Sequence, residues 1–220
     1  MKQRIGWLKE RFTAEQWNVL GYFAIFLLTA PIVDWNYHIG LLVNVGCCAL
    51  LLAVIVYREK PLNWTKRAVY QGLLWGLMLV AVEVAILAIS FGLSGHRDSY
   101  TNQNSLIIMW IVKHYSYYLI YVILIAPPLE EIVFRHSLFK IIQKWLLSYS
   151  VYIKPRWSWW FSTILVGVCF ALMHSTTQVG VSYVLLSIAL QAIYHRYHNL
   201  TVNTIAHVIF NLAAVGMLLG

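Results

Sequence analysis

Ala126-Pro127-Pro128-Leu129-Glu130-Glu131-Ile132-Val133-Phe134-Arg135 sets three charges and two adjacent prolines into otherwise apolar surroundings. A charged side chain at the centre of a bilayer costs roughly 2.5–3.5 kcal/mol on insertion scales. A chain with only 8 Asp and Glu has nonetheless placed two of them side by side here. Residues four apart share a helix face, so Glu131 and Arg135 can form an ion pair with the acid in the favourable N-terminal position. Glu130 then points about 100° away around the helix, free for another use. Two further polar pairs follow in apolar context, Phe170-x-x-x-His174 and His207-x-x-x-Asn211. Polar groups so costly in lipid are by default functional candidates.

Composition agrees that the surroundings are lipid. The chain is 60% hydrophobic and 11% charged, against about a quarter charged in ordinary soluble domains. Apolar runs at Trp17–Val33, Ile39–Tyr57, Ala68–Leu93, Leu106–Ala126, Trp157–His174, Val179–Tyr194 and Thr201–Leu219 approach the ~20 residues that a helix needs to cross hydrocarbon. No barrel-like alternation is present. The expected fold is therefore all-α, a polytopic transmembrane helix bundle of seven or eight spans, and 1–220 reads as a single integral membrane domain. The basic start (Lys2, Arg4, Lys9, Arg11) leads into the first run with no small-residue cleavage site, so that run reads as a retained anchor. Leu129–Leu147 is helical by pattern but amphipathic, with Pro127-Pro128 marking its start.

The net charge of +8 does not call for nucleic acid. The basic residues cluster in the tail, around Arg58 to Arg67 and between Lys140 and Arg156, the connections where positive charge sets topology and meets anionic headgroups. No nucleic-acid recognition fold accompanies them. Cys47, Cys48 and Cys169 match neither a zinc spacing nor a disulfide framework and read as packing residues.

Topology divides the rules. Taking basic connections as cytoplasmic puts the N-terminus and Arg58–Arg67 inside, and Lys140–Arg156 as well, with one crossing between Leu106 and Leu147. Glu130 follows the Pro-Pro break directly and His174 precedes the Ser175–Gln178 connection directly. Placing both near one face favours eight crossings, with an external Lys140–Arg156 loop.

A lone carboxylate beside a bundle cavity suits a general base, and that is Glu130. His174, one turn beyond Phe170, can help it hold a water. His207 and Asn211 share a face and offer two donors for the oxyanion of a tetrahedral intermediate. A base, a water and an oxyanion site suffice for amide hydrolysis.

Glu-Glu-x-x-x-Arg, Phe-x-x-x-His and His-x-x-x-Asn, in that order on successive apolar helices, resemble the CPBP family, the CAAX-protease and bacteriocin-processing (Abi) membrane peptidases, over about Leu106 to Leu219. The resemblance implies an intramembrane endopeptidase acting on a membrane-associated protein or peptide. It makes Glu130 the water-activating glutamate, His174 its partner, and His207 with Asn211 the oxyanion pair. Glu131, Arg135 and Phe170 support the site. His136 stands where many members carry glycine. Small bacterial members occur in bacteriocin processing or self-immunity, which implies a multi-pass protein of the bacterial cytoplasmic membrane. Metal use stays open: Glu130, His174 and His207 are donors that suit zinc, and no His-Glu-x-x-His helix is present.

Blander readings stand beside these. Glu130 alone can be a helix-N-terminal carboxylate, and His207 with Asn211 can be interhelical glue. Glu83 is left over, a structural partner for Lys113 or His114 or a cavity-lining group. His38, His96, His136, His195 and His198 fall near predicted helix ends, and Trp157, Trp159 and Trp160 suit an interfacial belt. Two rival functions remain at this stage. One is a non-catalytic immunity or scaffold protein with the same fold; the other is a transporter, for which paired broken helices are missing.

Overall fold

A helix pairs its backbone donors and acceptors internally, which is why apolar segments of this composition adopt it in lipid. The computed structural model describes residues 12–94, 103–149, 154–174 and 180–219, and the regular structure among them is helical throughout. The basic tail Lys2 to Arg11, His96, the Ser175–Gln178 connection and most of Gly95–Asn104 lie outside the described residues. In chain order the helices are α1 (Ala14–Trp35), α2 (Tyr37–Glu59), α3 (Lys66–Ser94), α4 (Gln103–His114), α5 (118–149), α6 (Pro155–His174), α7 (Gly180–Tyr197) and α8 (Leu200–Leu219). Five of them, α1, α2, α3, α6 and α8, are long and apolar enough to cross a membrane by themselves. Helix α4 has 12 residues, and α5 carries the charges of the opening motif.

The chain does not start a new helix at Pro127-Pro128, as its sequence suggests. It breaks earlier, at residues 115–117, which divides the expected Leu106–Ala126 span between α4 and α5. Helix α5 then runs through both prolines by alternating winding: π over Tyr121–Ile125, α over Ala126–Glu130, π over Glu131–Leu138 and α over Phe139–Tyr149. Proline has no N–H to give. In the wider turn before the prolines the Ala126 N–H reaches back to the Tyr121 carbonyl. The Val122 carbonyl is left for an outside donor, and Asn211 Nδ2 of α8 supplies it at 3.0 Å.

Helix α5 is the axis of the bundle. Its Leu129, Ile132, Val133 and Phe134 are fully buried, while Leu27, Leu50 and Leu77 of the outer helices are exposed, as lipid-facing residues are. Tyr22 of α1 meets Phe134 edge-on at 5.7 Å. Helices α3 and α8 pack closely, because Gly72 and Gly76 present no side chain: a Cβ there would lie 2.6 Å from Ile205 and 2.7 Å from Ile209. This small-xxx-small pattern brings membrane helices together. Its register, 72 beside 205 and 76 beside 209, makes α3 and α8 parallel, and Asn199 Nδ2 donates to the Asn63 carbonyl where they begin.

Polar contacts gather at one end. Asn18 Nδ2 donates to Glu59 Oε2 at 3.2 Å and to Ser137 Oγ at 3.3 Å, and Lys140 Nζ lies 3.5 Å from Glu15. The start of α1, the end of α2 and the second half of α5 therefore share a face.

Candidate active site

Glu130 ends the α-helical turn between the two π segments and is 6% exposed. Its Oε1 lies 3.8 Å from His174 Nε2, and its Oε2 lies 3.8 Å from His207 Nε2. Those gaps are too long for direct hydrogen bonds, and each is wide enough for a water about 2.8 Å from both atoms to span.

Each imidazole is fixed through its other nitrogen. His174 Nδ1 lies 2.8 Å from the Phe170 carbonyl, which only accepts, so this nitrogen carries a proton and Nε2 faces Glu130. The ring also stacks on Phe170 at 4.2 Å. One helical turn thus serves His174 twice, by carbonyl and by ring, which is the physical content of the Phe-x-x-x-His spacing. Phe170 in turn lies under the Arg135 guanidinium at 4.8 Å and packs edge-on against Phe134 at 5.2 Å.

His207 Nδ1 lies 2.9 Å from Glu131 Oε1 and donates to it. Glu131 is fully buried. Its Oε2 accepts from Arg135 Nε at 3.3 Å and from Asn203 Nδ2 at 3.1 Å. Arg135 Nη1 donates to Ser187 Oγ at 2.6 Å, and Asn203 Nδ2 donates also to the Leu190 carbonyl at 2.7 Å. The expected Glu131–Arg135 ion pair is present with both side chains fully buried. Its carboxylate holds more than the arginine, since it also orients His207.

Asn211 lines the same cavity as Glu130, His174 and His207, but one of its N–H groups is committed to Val122. The sequence reading missed Asn203 and Ser187. Asn203 carries a signal, because Asn203, His207 and Asn211 repeat every four residues on one face of α8. Ser187 on α7 carries none. His136 is not an idle end residue: its ring bridges Tyr194 Oη at 2.8 Å and Lys140 Nζ at 3.0 Å. The suggested Glu83 pairs are not formed. Lys113 is exposed, His114 Nδ1 lies 2.8 Å from the Trp110 carbonyl, and Glu83 lines the cavity.

That cavity, about 520 Å³, runs from Glu130 between α3, α4 and α8. The donor types suit zinc, but their placement does not. Two ligands about 2.0–2.1 Å from a tetrahedral zinc lie roughly 3.3 Å apart. Among the described residues, no three His, Cys, Asp or Glu come together in an arrangement that holds a metal ion. No step below is routed through a metal.

Helices packed around two carboxylates, a guanidinium and two imidazoles define an integral membrane protein with its chemistry inside the bundle. Residues 112–213 match the family of type II CAAX prenyl endopeptidase Rce1-like proteins, an interval that contains every member of the centre from Glu130 to Asn211. Over that stretch the chain is similar to the CPBP family, a family of proteases. No curated protein and no solved structure matches the chain.

Proposed function

We propose that this protein is an intramembrane endopeptidase that hydrolyses a peptide bond of a membrane-associated protein or peptide with a glutamate-activated water. The observation that carries it is the Glu130 carboxylate facing two imidazole Nε2 atoms, each 3.8 Å away and each fixed through Nδ1. A water between Glu130 and His174 donates one proton to each. Glu130 takes its proton as the oxygen attacks the scissile carbonyl, then delivers it to the leaving amine nitrogen as the C–N bond breaks. The products are a carboxylic acid and an amine.

His207 acts on the oxyanion from the other side. With Nδ1–H given to Glu131, its Nε2 donates only when it too carries a proton. The second N–H of Asn211 completes the oxyanion site. Alanine at Glu130, His174, His207 or Asn211 lowers cleavage at least about 100-fold, the scale of losing one oxyanion donor.

The contacts joining Glu15 to Lys140 and Asn18 to Glu59 support seven crossings rather than eight, with the start of α1, the end of α2 and Lys140 on one face. By the positive-inside rule that face is cytoplasmic. Residues 1–220 form one membrane domain. The setting that fits a small, basic member of this family is the bacterial cytoplasmic membrane, in bacteriocin processing or self-immunity.

The test is terminal-peptide mass spectrometry on membranes from cells expressing wild type or Glu130→Gln at matched levels. Peptide ends present only with wild type establish proteolysis and name the substrate. Identical profiles from two folded proteins, with the native phenotype retained, refute the peptidase reading in favour of a non-catalytic binder.

A further inference from the structure

Glu83 lies within the membrane-crossing stretch of α3, at a depth where an unpaired carboxylate is costly. Its neighbours Val82 and Val84 are exposed, as lipid-facing residues are, while Glu83 itself is half-buried and lines the cavity that reaches Glu130. No hydrogen bond or charge partner serves it among the described residues. The other described carboxylates that are not exposed all have polar neighbours. Glu15 has Lys140, Glu59 has Asn18, Glu131 has Arg135, and Glu130 faces two imidazoles. Among the described carboxylates that are not exposed, Glu83 is the one that lines the cavity with no polar partner.

The helix register gives its place along the cavity. Gly72 beside Ile205 and Gly76 beside Ile209 put Glu83 level with Gly216, nine residues beyond His207. At about 1.5 Å per residue that is roughly 13 Å, the reach of about four residues of extended peptide. Val80, Phe210, Ala213 and Ala214 form an apolar wall between. An apolar peptide lying along it with its reacting bond at Glu130 brings one position to Glu83. A cation there completes an ion pair in a poorly screened site, and a carboxylate there meets repulsion.

We infer that Glu83 recognises a cationic amine on the substrate, a basic side chain or a free amino terminus, about four residues from the scissile bond. This rests on the peptidase reading of the same cavity. The cleft therefore selects apolar segments that carry positive charge at one end.

The experiment measures binding and cleavage of the same probes by the full chain in lipid nanodiscs. The probes are labelled apolar decapeptides in which a single Lys, norleucine or Glu is walked through each position, each made with a free and an acetylated amino terminus. Wild type and Glu130→Gln are expected to bind Lys over norleucine roughly tenfold more tightly at one position, the scale of one partly desolvated ion pair. Glu83→Gln brings that ratio to within about twofold, and Glu83→Lys turns the preference toward the Glu peptide. Glu15→Gln, far from the cavity, leaves the ratio as it was. If acetylation removes the preference whatever the Lys position, the amino terminus is the group recognised.

Equal binding of Lys, norleucine and free-amine peptides by wild type, or a preference that survives Glu83→Gln, overturns the inference. Mass spectrometry on the same mixtures keeps the two readings apart. Charge-selective binding without cleavage defeats the peptidase reading and leaves the Glu83 site standing; cleavage without selectivity does the reverse.

Discussion

Glu130 and Glu131 are adjacent in sequence and meet opposite surroundings. Glu130 opens to the cavity with no direct hydrogen bond among the described residues, and Glu131 is sealed among Arg135, Asn203 and His207. The two substitutions that probe the sealed side should fail differently. Arg135→Ala strands a buried carboxylate, a loss of about 3–5 kcal/mol, so folded yield and detergent melting temperature both fall. Glu131→Gln keeps the shape but replaces an acceptor of three hydrogen bonds by a weaker one and removes the charge that holds His207. Cleavage should drop about 10- to 100-fold in whatever protein folds, and wild-type turnover by this variant would show that His207 is not held through Glu131. The ion pair was readable from sequence because four-residue spacing in one helix fixes which side chains meet. The His207 contact was not, because spacing within one helix does not say which helix lies across from it. Asn203 stood in plain view as part of a four-residue repeat, and only the facing Glu131 shows what it is for.

At the scale of elements, α5 is where sequence rules and structure part. Two consecutive prolines ordinarily signal a helix boundary, yet here a π turn and a side chain from α8 carry the helix through. Asn211 therefore has two separable jobs, and a double mutant separates them. Asn211→Ala leaves the Val122 carbonyl without its donor, at about 1–3 kcal/mol, and also removes an oxyanion donor. Pro127→Ala in that background returns a backbone N–H beside the vacant carbonyl. Thermal stability should recover in part while cleavage does not. Recovery of both would mean that Asn211 serves only the backbone. The α3–α8 contact gives a second element-scale prediction. Gly76→Ala drives a Cβ to 2.7 Å from Ile209 and to 3.1 Å from the Ala206 carbonyl, and Gly46→Ala meets nothing within 4 Å. The first should cost about 1–3 kcal/mol by overpacking; the second should be neutral or gain up to about 1 kcal/mol. Chemical unfolding of the two variants side by side checks the packing register on which the Glu83 distance depends.

For the whole molecule the decisive quantity is which connections share a face. Hydropathy located apolar runs well, since length and composition suffice for α1, α2, α3, α6 and α8. It did not locate the break at residues 115–117 or the helix that continues through Pro127-Pro128, because a helix that buries Glu130, Glu131 and Arg135 in protein looks amphipathic rather than apolar. The contact of Lys140 with Glu15, and of Asn18 with Glu59 and Ser137, places the later part of α5 beside the start of α1 and the end of α2. Single cysteines at Trp64 and Lys144, in a background with Cys47, Cys48 and Cys169 replaced by alanine, test this directly with a membrane-impermeant maleimide. Both positions are exposed. In sealed right-side-out vesicles neither should react, and in inverted vesicles both should, as seven crossings with basic connections inside require. Labelling of the two from opposite sides would favour the eight-crossing arrangement. It would also place the Lys140–Arg156 connection outside, contradict the Glu15–Lys140 contact, and leave the depth of Glu130 below either face to be set by a different packing of α5.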